Sequence, residues 1–175
     1  MNPSLEDLQA AFLELTAANS PQPSDSPSTP PAEGTPPPPP APSPVQLTDA
    51  KAKGYHLDAT VVPEQVVAAA KIMDLHGFGI DAVTGVDWMT AGQMEVVYDF
   101  FHPTSPLHVV VRTRVPRDKA EVPTIQEVFA GANWHERETH EFLGIKFLGH
   151  PDLSPLLLPE DATYHPLRKD FTGAA

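Results

Sequence analysis

His135, Glu136, Glu138 and His140 crowd into the stretch NWHERETHEFLGIKF, residues 133 to 147, and are the first candidates for chemistry in this chain. The helical zinc-protease motif HExxH sets its two histidines four residues apart, so that both rings leave one face and grip one ion. Here position 139 is Thr139, and the next histidine is His140, five residues after His135. Five residues turn a helix through roughly 500°, which leaves the two rings about 140° apart. Rings so placed do not converge on one metal. The wider set His135, His140, His150 and His165 follows no zinc spacing, and a chain with zero cysteines offers no thiolate ligand, no disulfide and no cysteine-held cluster. A free-standing metal-dependent hydrolase using His135, Glu138 and His140 is the catalytic reading that remains. No nucleotide-binding glycine loop and no Ser–His nucleophile pair accompanies it.

The elements that would position these residues follow from periodicity. Asn133 with Glu136 and Thr124 with Glu127 have capping-box spacing, and Gly131 and Gly144 read as stops, so short helices are predicted near 124–130 and 134–143. On the second helix Glu136 shares a face with Leu143, Thr139 and His140, and a carboxylate there needs a partner. Arg137 and Glu141, four residues apart, are placed to pair on the outer face beside Trp134. Upstream, QMEVVYDFFH sends Met94, Val96, Tyr98 and Phe100 to one side, and PLHVVVRTRV does the same with Leu107, Val109, Val111 and Val115, leaving Arg112 and Arg114 opposite. With HPTSP between them, these are a strand pair joined as a hairpin. YHLDATVV and GIDAVTGVDWM read as two further strands, separated by a helix from Pro63 to Gly77 with Val66, Ala70 and Met73 inward. The expected fold is α+β, in the order β-α-β-β-β-α, with a small, mostly antiparallel sheet and helices packed on it. Past residue 148, Pro151, Pro155, Pro159 and Pro166 prevent regular structure, and 149–175 is expected to be an extended interface arm.

Composition limits the rest. Of 22 prolines in 175 residues, 12 lie between Pro21 and Pro44, in a stretch with no aromatic or large aliphatic residue. Such a stretch cannot offset its ordering entropy, so 19–44 is expected to be a disordered tether. It follows a short amphipathic helix within residues 1–18, with Ser4 and Asp7 at its start and Leu5, Leu8, Phe12 and Leu15 on one stripe. The globular domain is expected at 45–148. A net charge of −12, with no Lys or Arg before Lys51, makes the chain a poor nucleic-acid binder. No apolar run nears the ~18 residues of a membrane span. The N-terminus has neither a signal-peptide nor a presequence pattern, which points to a reducing cytoplasm.

The run WHERETHEFLGIKFLGHPDLSPLLLPEDATYHPLRKDF, from Trp134 to Phe171, resembles the C-terminal signature of the complex I 30 kDa subunit family, the C-type subunits of NADH–quinone oxidoreductase. The elements that carry the likeness are Glu136-Arg137-Glu138, Gly144 through Leu153 (with Gly149, His150, Pro151 and Asp152), Leu157 through Asp161, and His165-Pro166-Leu167-Arg168-Lys169-Asp170. His140-Glu141 stands where the family usually has Tyr-Asp, and Ser154-Pro155 where it usually has arginines. The resemblance spans roughly residues 50 to 171. It implies a subunit with no redox centre of its own, in a proton-translocating complex that uses FMN, iron–sulfur clusters, NADH and quinone. The implied place is peripheral, on the cytoplasmic side of the cell membrane, beside the subunits that hold the quinone site and the terminal iron–sulfur cluster. Relatives in membrane-bound energy-converting hydrogenases and related dehydrogenases give a second reading. On either, Glu136, Arg137 and Glu138 form an internal or interfacial salt-bridge network, and Arg168 and Lys169 are interface cations that meet a partner's carboxylates.

Overall fold

The structure, a computed structural model, describes residues 3–17 and 43–173, so nearly all of the proline-rich stretch lies outside the described residues. Helix α1 (Leu5–Ala17) opens with the Asp7 N–H donating to Ser4 Oγ at 3.1 Å, which gives one orphan amide of the first turn an acceptor. Leu8 and Phe12 on its stripe are completely buried.

The next described element is a strand that the sequence reading did not separate. Val45–Leu47 forms β1, antiparallel to β2 (Leu57–Thr60), with Val45 opposite Ala59. Between them lies α2 (Ala50–Lys53), a single turn capped by the Asp49 side chain and ended by Gly54 at φ 85°. After β2 comes α3 (Val66–Leu75), then a meander of β3 (Gly79–Trp88), β4 (Gln93–Phe101) and β5 (His108–Pro116). The sheet order is β1-β2-β5-β4-β3, antiparallel except where β2 runs parallel to β5. This is the mostly antiparallel α+β fold expected from the alternation. Met94, Val96, Tyr98 and Phe100 join Val109, Val111 and Val115 in the core, with Val66, Ala70 and Met73 of α3. Each buried Val, Met or Phe among them contributes about 1.5–3 kcal/mol. Arg112 and Arg114 turn to the other face and pair with Asp58 at 2.9 Å and Glu95 at 2.8 Å.

Beyond β5 the outcome differs from the sequence reading. β6 (Glu121–Pro123) and β7 (Lys146–Leu148) form a small parallel ribbon on either side of α4 (Ala132–Leu143). The helix expected at 124–130 is a run of turns instead. Its cap is diverted: the Thr124 hydroxyl goes to Glu136, and Glu127 accepts from Gln126 Nε2. Gly131, read as a stop, is the N-cap of α4, which starts two residues earlier than expected. Gly144 does end the helix, in the left-handed region at φ 74°. Helix α4 crosses β3 at Gly85, where an added Cβ would come within 2.4 Å of Leu143 Cδ1 and 2.8 Å of Thr139 Cγ2. The Thr139 hydroxyl donates to the Val83 carbonyl at 3.1 Å and fixes that crossing. From Gly149 the chain runs without helix or strand over α4. Among the described residues no helix is long and apolar enough to cross a membrane.

Candidate functional site

Helix α4 presents one face to the core and one to the arm. Glu136, on the inner face, is wholly buried; its carboxylate accepts from the Thr124 hydroxyl and from the Ile125 N–H at 2.8 Å. The capping box with Asn133 is therefore not made. Burial pushes the Glu136 carboxyl up to about 7. His150 Nε2 lies 3.9 Å from Glu136 Oε2, and neither it nor the buried Tyr98 hydroxyl has a hydrogen-bond partner among the described residues. Burial lowers the His150 imidazole and raises the Tyr98 phenol. The side chains of Glu136 and His150 are both fully buried.

On the outer face the expected Arg137–Glu141 pair is absent, and Glu136, Arg137 and Glu138 make no ion pair with one another within the chain. Each of these groups has a different use. Arg137 donates through Nε to the Ser154 carbonyl at 3.1 Å, and through Nη2 to Ser154 Oγ and the Pro155 carbonyl at 3.2 Å each. Its guanidinium lies 5.3 Å from the centre of the exposed Trp134 ring. Glu141 accepts from three consecutive amides, those of Leu156 at 2.8 Å, Leu157 at 3.0 Å and Leu158 at 3.2 Å. Charge-assisted bonds of this kind are the stronger sort, and a row of amides is a natural cradle for a carboxylate. Glu138 stays exposed, beside a shallow cleft shared with Val83, Phe142 and Leu167.

A second stretch of the arm takes the end of α4. His165 Nδ1 bonds the Glu141 carbonyl at 2.8 Å, the Leu167 N–H donates to Phe142 at 3.1 Å, and Arg168 Nε donates to Leu143 at 2.7 Å. These carbonyls have no partner within the helix, and a cation beside them also suits the helix dipole. Gly144 is required here twice over. Its φ is positive, and a Cβ would meet Arg168 Nη2 and His165 Nε2 at 2.6 Å. The arm then reaches the sheet: the Lys169 N–H donates to Asp87 Oδ2 at 2.8 Å. Arg117 grips Asp87 with two bonds, 2.8 and 2.9 Å, and reaches Asp170 at 2.6 Å. Its guanidinium holds both carboxyls below their ordinary range.

Arg168, expected as an interface cation, uses its Nε on the Leu143 carbonyl of its own helix, and Asp170 pairs with Arg117 of its own chain. The Lys169 residue is exposed, as are Pro151, Asp152 and Asp161. The Asp152 carboxylate accepts from the Ser154 N–H at 2.9 Å, Gly149 makes the turn into the arm at φ 83°, and Pro166 is partly covered. Asp87 and Arg117 were missed. The signal was there for Asp87, since strict alternation from Val83 puts a carboxylate on the core side of β3. Exposed apolar side chains stand among the arm's charged ones: Leu157 is 66% exposed and Leu167 61%, and the Tyr164 and Phe171 rings stack 5.6 Å apart. His140 Nδ1 bonds the Ile145 carbonyl at 2.9 Å, and no group of three or more metal-ligating side chains gathers among the described residues.

The geometry defines an α+β domain that carries a strapped C-terminal arm with exposed apolar side chains. Over residues 59–175 the sequence matches the family of the respiratory-chain NADH dehydrogenase 30 Kd subunit, and the chain belongs to that family. It is 42% identical over 93 residues to the C-type subunit of the F(420)H(2) dehydrogenase of Methanosarcina mazei, covering 53% of this chain and 59% of that one. With the C-type subunit of the NADH-quinone oxidoreductase of Moorella thermoacetica it shares 36% identity over 122 residues, 68% of this chain and 82% of the relative. The fused C/D-type subunit of the Phocaeicola vulgatus enzyme is 40% identical over 91 residues, 51% of this chain but only 17% of the fusion. A chain in the solved structure of an archaeal respiratory membrane complex, the membrane-bound sulfane sulfur reductase, superposes with a TM-score of 0.61 at 31% identity, covering 66% of this chain and 71% of that one.

Proposed function

We propose that the chain is a non-catalytic, cofactor-free subunit in the hydrophilic arm of a proton-translocating NADH–quinone oxidoreductase. In this reading it sits on the cytoplasmic side of the membrane and is needed for assembly beside the quinone-site and terminal iron–sulfur cluster subunits. The FMN, the clusters, the NADH site and the quinone site belong to those neighbours. The observation that carries the reading is the arm, which is fastened to α4 and β3 by hydrogen bonds while Leu157, Tyr164, Leu167 and Phe171 remain exposed. Exposed apolar side chains among charged ones, on a fixed backbone, are the make-up of a protein contact. The fused C/D-type relative supports a close neighbour: there the matching region and a second subunit share one chain.

The 42% identity to a subunit of an F(420)H(2) dehydrogenase favours a second reading, the equivalent subunit of a related dehydrogenase or energy-converting hydrogenase. Both readings are tested by tagging the chain in its host, purifying the assembly gently and identifying the co-purifying subunits by mass spectrometry. Recovery with iron–sulfur and quinone-site subunits supports the proposal, and the donor-oxidising subunit decides between the two complexes. Recovery of the chain alone, with stoichiometric zinc or iron in elemental analysis, would return the hydrolase reading.

A further inference from the structure

We propose that helix α1 is a detachable ligand of its own domain, and that the surface it covers is a binding groove for a short amphipathic helix. Helix α1 packs on α3, β1 and β2, outside the region matched by the family. Its hold on the domain is of a particular kind. Leu8 and Phe12, four residues apart, are completely buried, and Leu5 and Leu15 pack partly against the same core. Among the described residues no ion pair ties α1 to the rest, and a single hydrogen bond does, from Gln65 Nε2 to the Leu15 carbonyl at 2.6 Å. That carbonyl is one of the last four of the helix, which have no partner within it.

Gln65 is oriented by its own segment as well as by the helix. It is 5% exposed, and its Oε1 accepts the Val62 N–H at 3.2 Å, so the amide is oriented with its donor aimed at the helix end. A groove with apolar sockets four residues apart and one aimed donor is a receptor for an amphipathic helix, docked on one stripe with its last turn capped by Gln65. The occupant in this chain is α1 itself. The 27 residues Ala18–Pro44, 12 of them proline, join it to β1. A 13-residue helix is marginal alone and gains its order from the groove. The tether makes the encounter intramolecular, which favours α1 over the same helix offered in trans.

The test uses the full chain with a protease site inserted between Thr29 and Gly34, and a fluorescent peptide of residues 1–18 as the probe. Anisotropy is read before and after cleavage. The uncut chain should bind the peptide at least tenfold more weakly than the cut chain, because α1 fills the groove at high local concentration. A Phe12→Ala peptide should lose at least tenfold in affinity for the cut chain. An uncut chain carrying Leu8→Ala and Phe12→Ala should accept the wild-type peptide. Equal binding by cut and uncut chains, or no binding by either, would overturn the proposal. So would unfolding of the domain on cleavage, since α1 would then be an inseparable part of the core.

Discussion

Burial makes the Glu136 carboxyl hold its proton more tightly than an exposed one does. Its folded value of about 7 stands above its ordinary 4.5, so the folded state binds the proton more tightly than the unfolded chain does. Its contribution is therefore complete below about 4.5, falls as pH rises toward about 7, and is flat beyond, for a total on the order of 3 kcal/mol. His150 opposes it: its lowered imidazole costs stability as pH falls below its ordinary 6.5. Comparing wild type with Glu136→Gln isolates the carboxyl. In urea titrations at pH 5 and pH 8, the advantage of the Gln variant should grow toward pH 8, and an equal difference at both values would refute the assignment. Gly85 is a second single-residue dependence. Gly85→Ala puts a methyl 2.4 Å from Leu143 Cδ1, and should cost about 1–3 kcal/mol in chemical denaturation as α4 is pushed from β3.

At the scale of elements, the arm is a strap with two fastenings, one along α4 and one at Asp87. Asp87→Asn weakens the second, which is built from charge-assisted bonds worth about 1.5–3 kcal/mol each. Hydrogen exchange should then quicken at Leu167, Lys169 and the last turn of α4, while β3, β4 and β5 stay protected; uniform quickening would show that no separable strap exists. The pH sign is the reverse of that at Glu136. Asp87 and Asp170 have depressed folded values, so the fastening is present above the unfolded value of about 3.8 and is lost as pH falls through the lowered ones. Protection at Lys169, corrected for the intrinsic pH dependence of exchange, should be constant from about pH 5 to 8 and fall only below about 4.

Which of this was legible follows from range. The alternation in β4 and β5 fixed both strands and their inward faces, because each strand's pattern is local. The three-residue strands β1, β6 and β7 carry too little pattern of their own and exist through their partners. Arg137 and Glu141 were correctly brought to one outer face, but their partners, Ser154 to Leu158, lie in an irregular segment that periodicity does not place. The Asp87–Lys169 bond spans 82 residues, and no local rule links its ends. Thr124 misled for a related reason: its capping spacing is real, yet Glu136 reaches back and takes the hydroxyl.

At the scale of the whole molecule, the central claim is that the arm's outer face is where this subunit meets its complex. The most direct measurement is incorporation of a Leu157→Asp, Leu167→Asp double variant in the full-length chain. Both side chains are more than 60% exposed, and the backbone amides that hold the arm are untouched, so thermal melting should match wild type within about 0.5 kcal/mol. In cells lacking the native chain, native gels should show the variant outside the large complex, with the complex itself depleted. A variant that melts like wild type and is recovered in the complex at wild-type level would contradict the account.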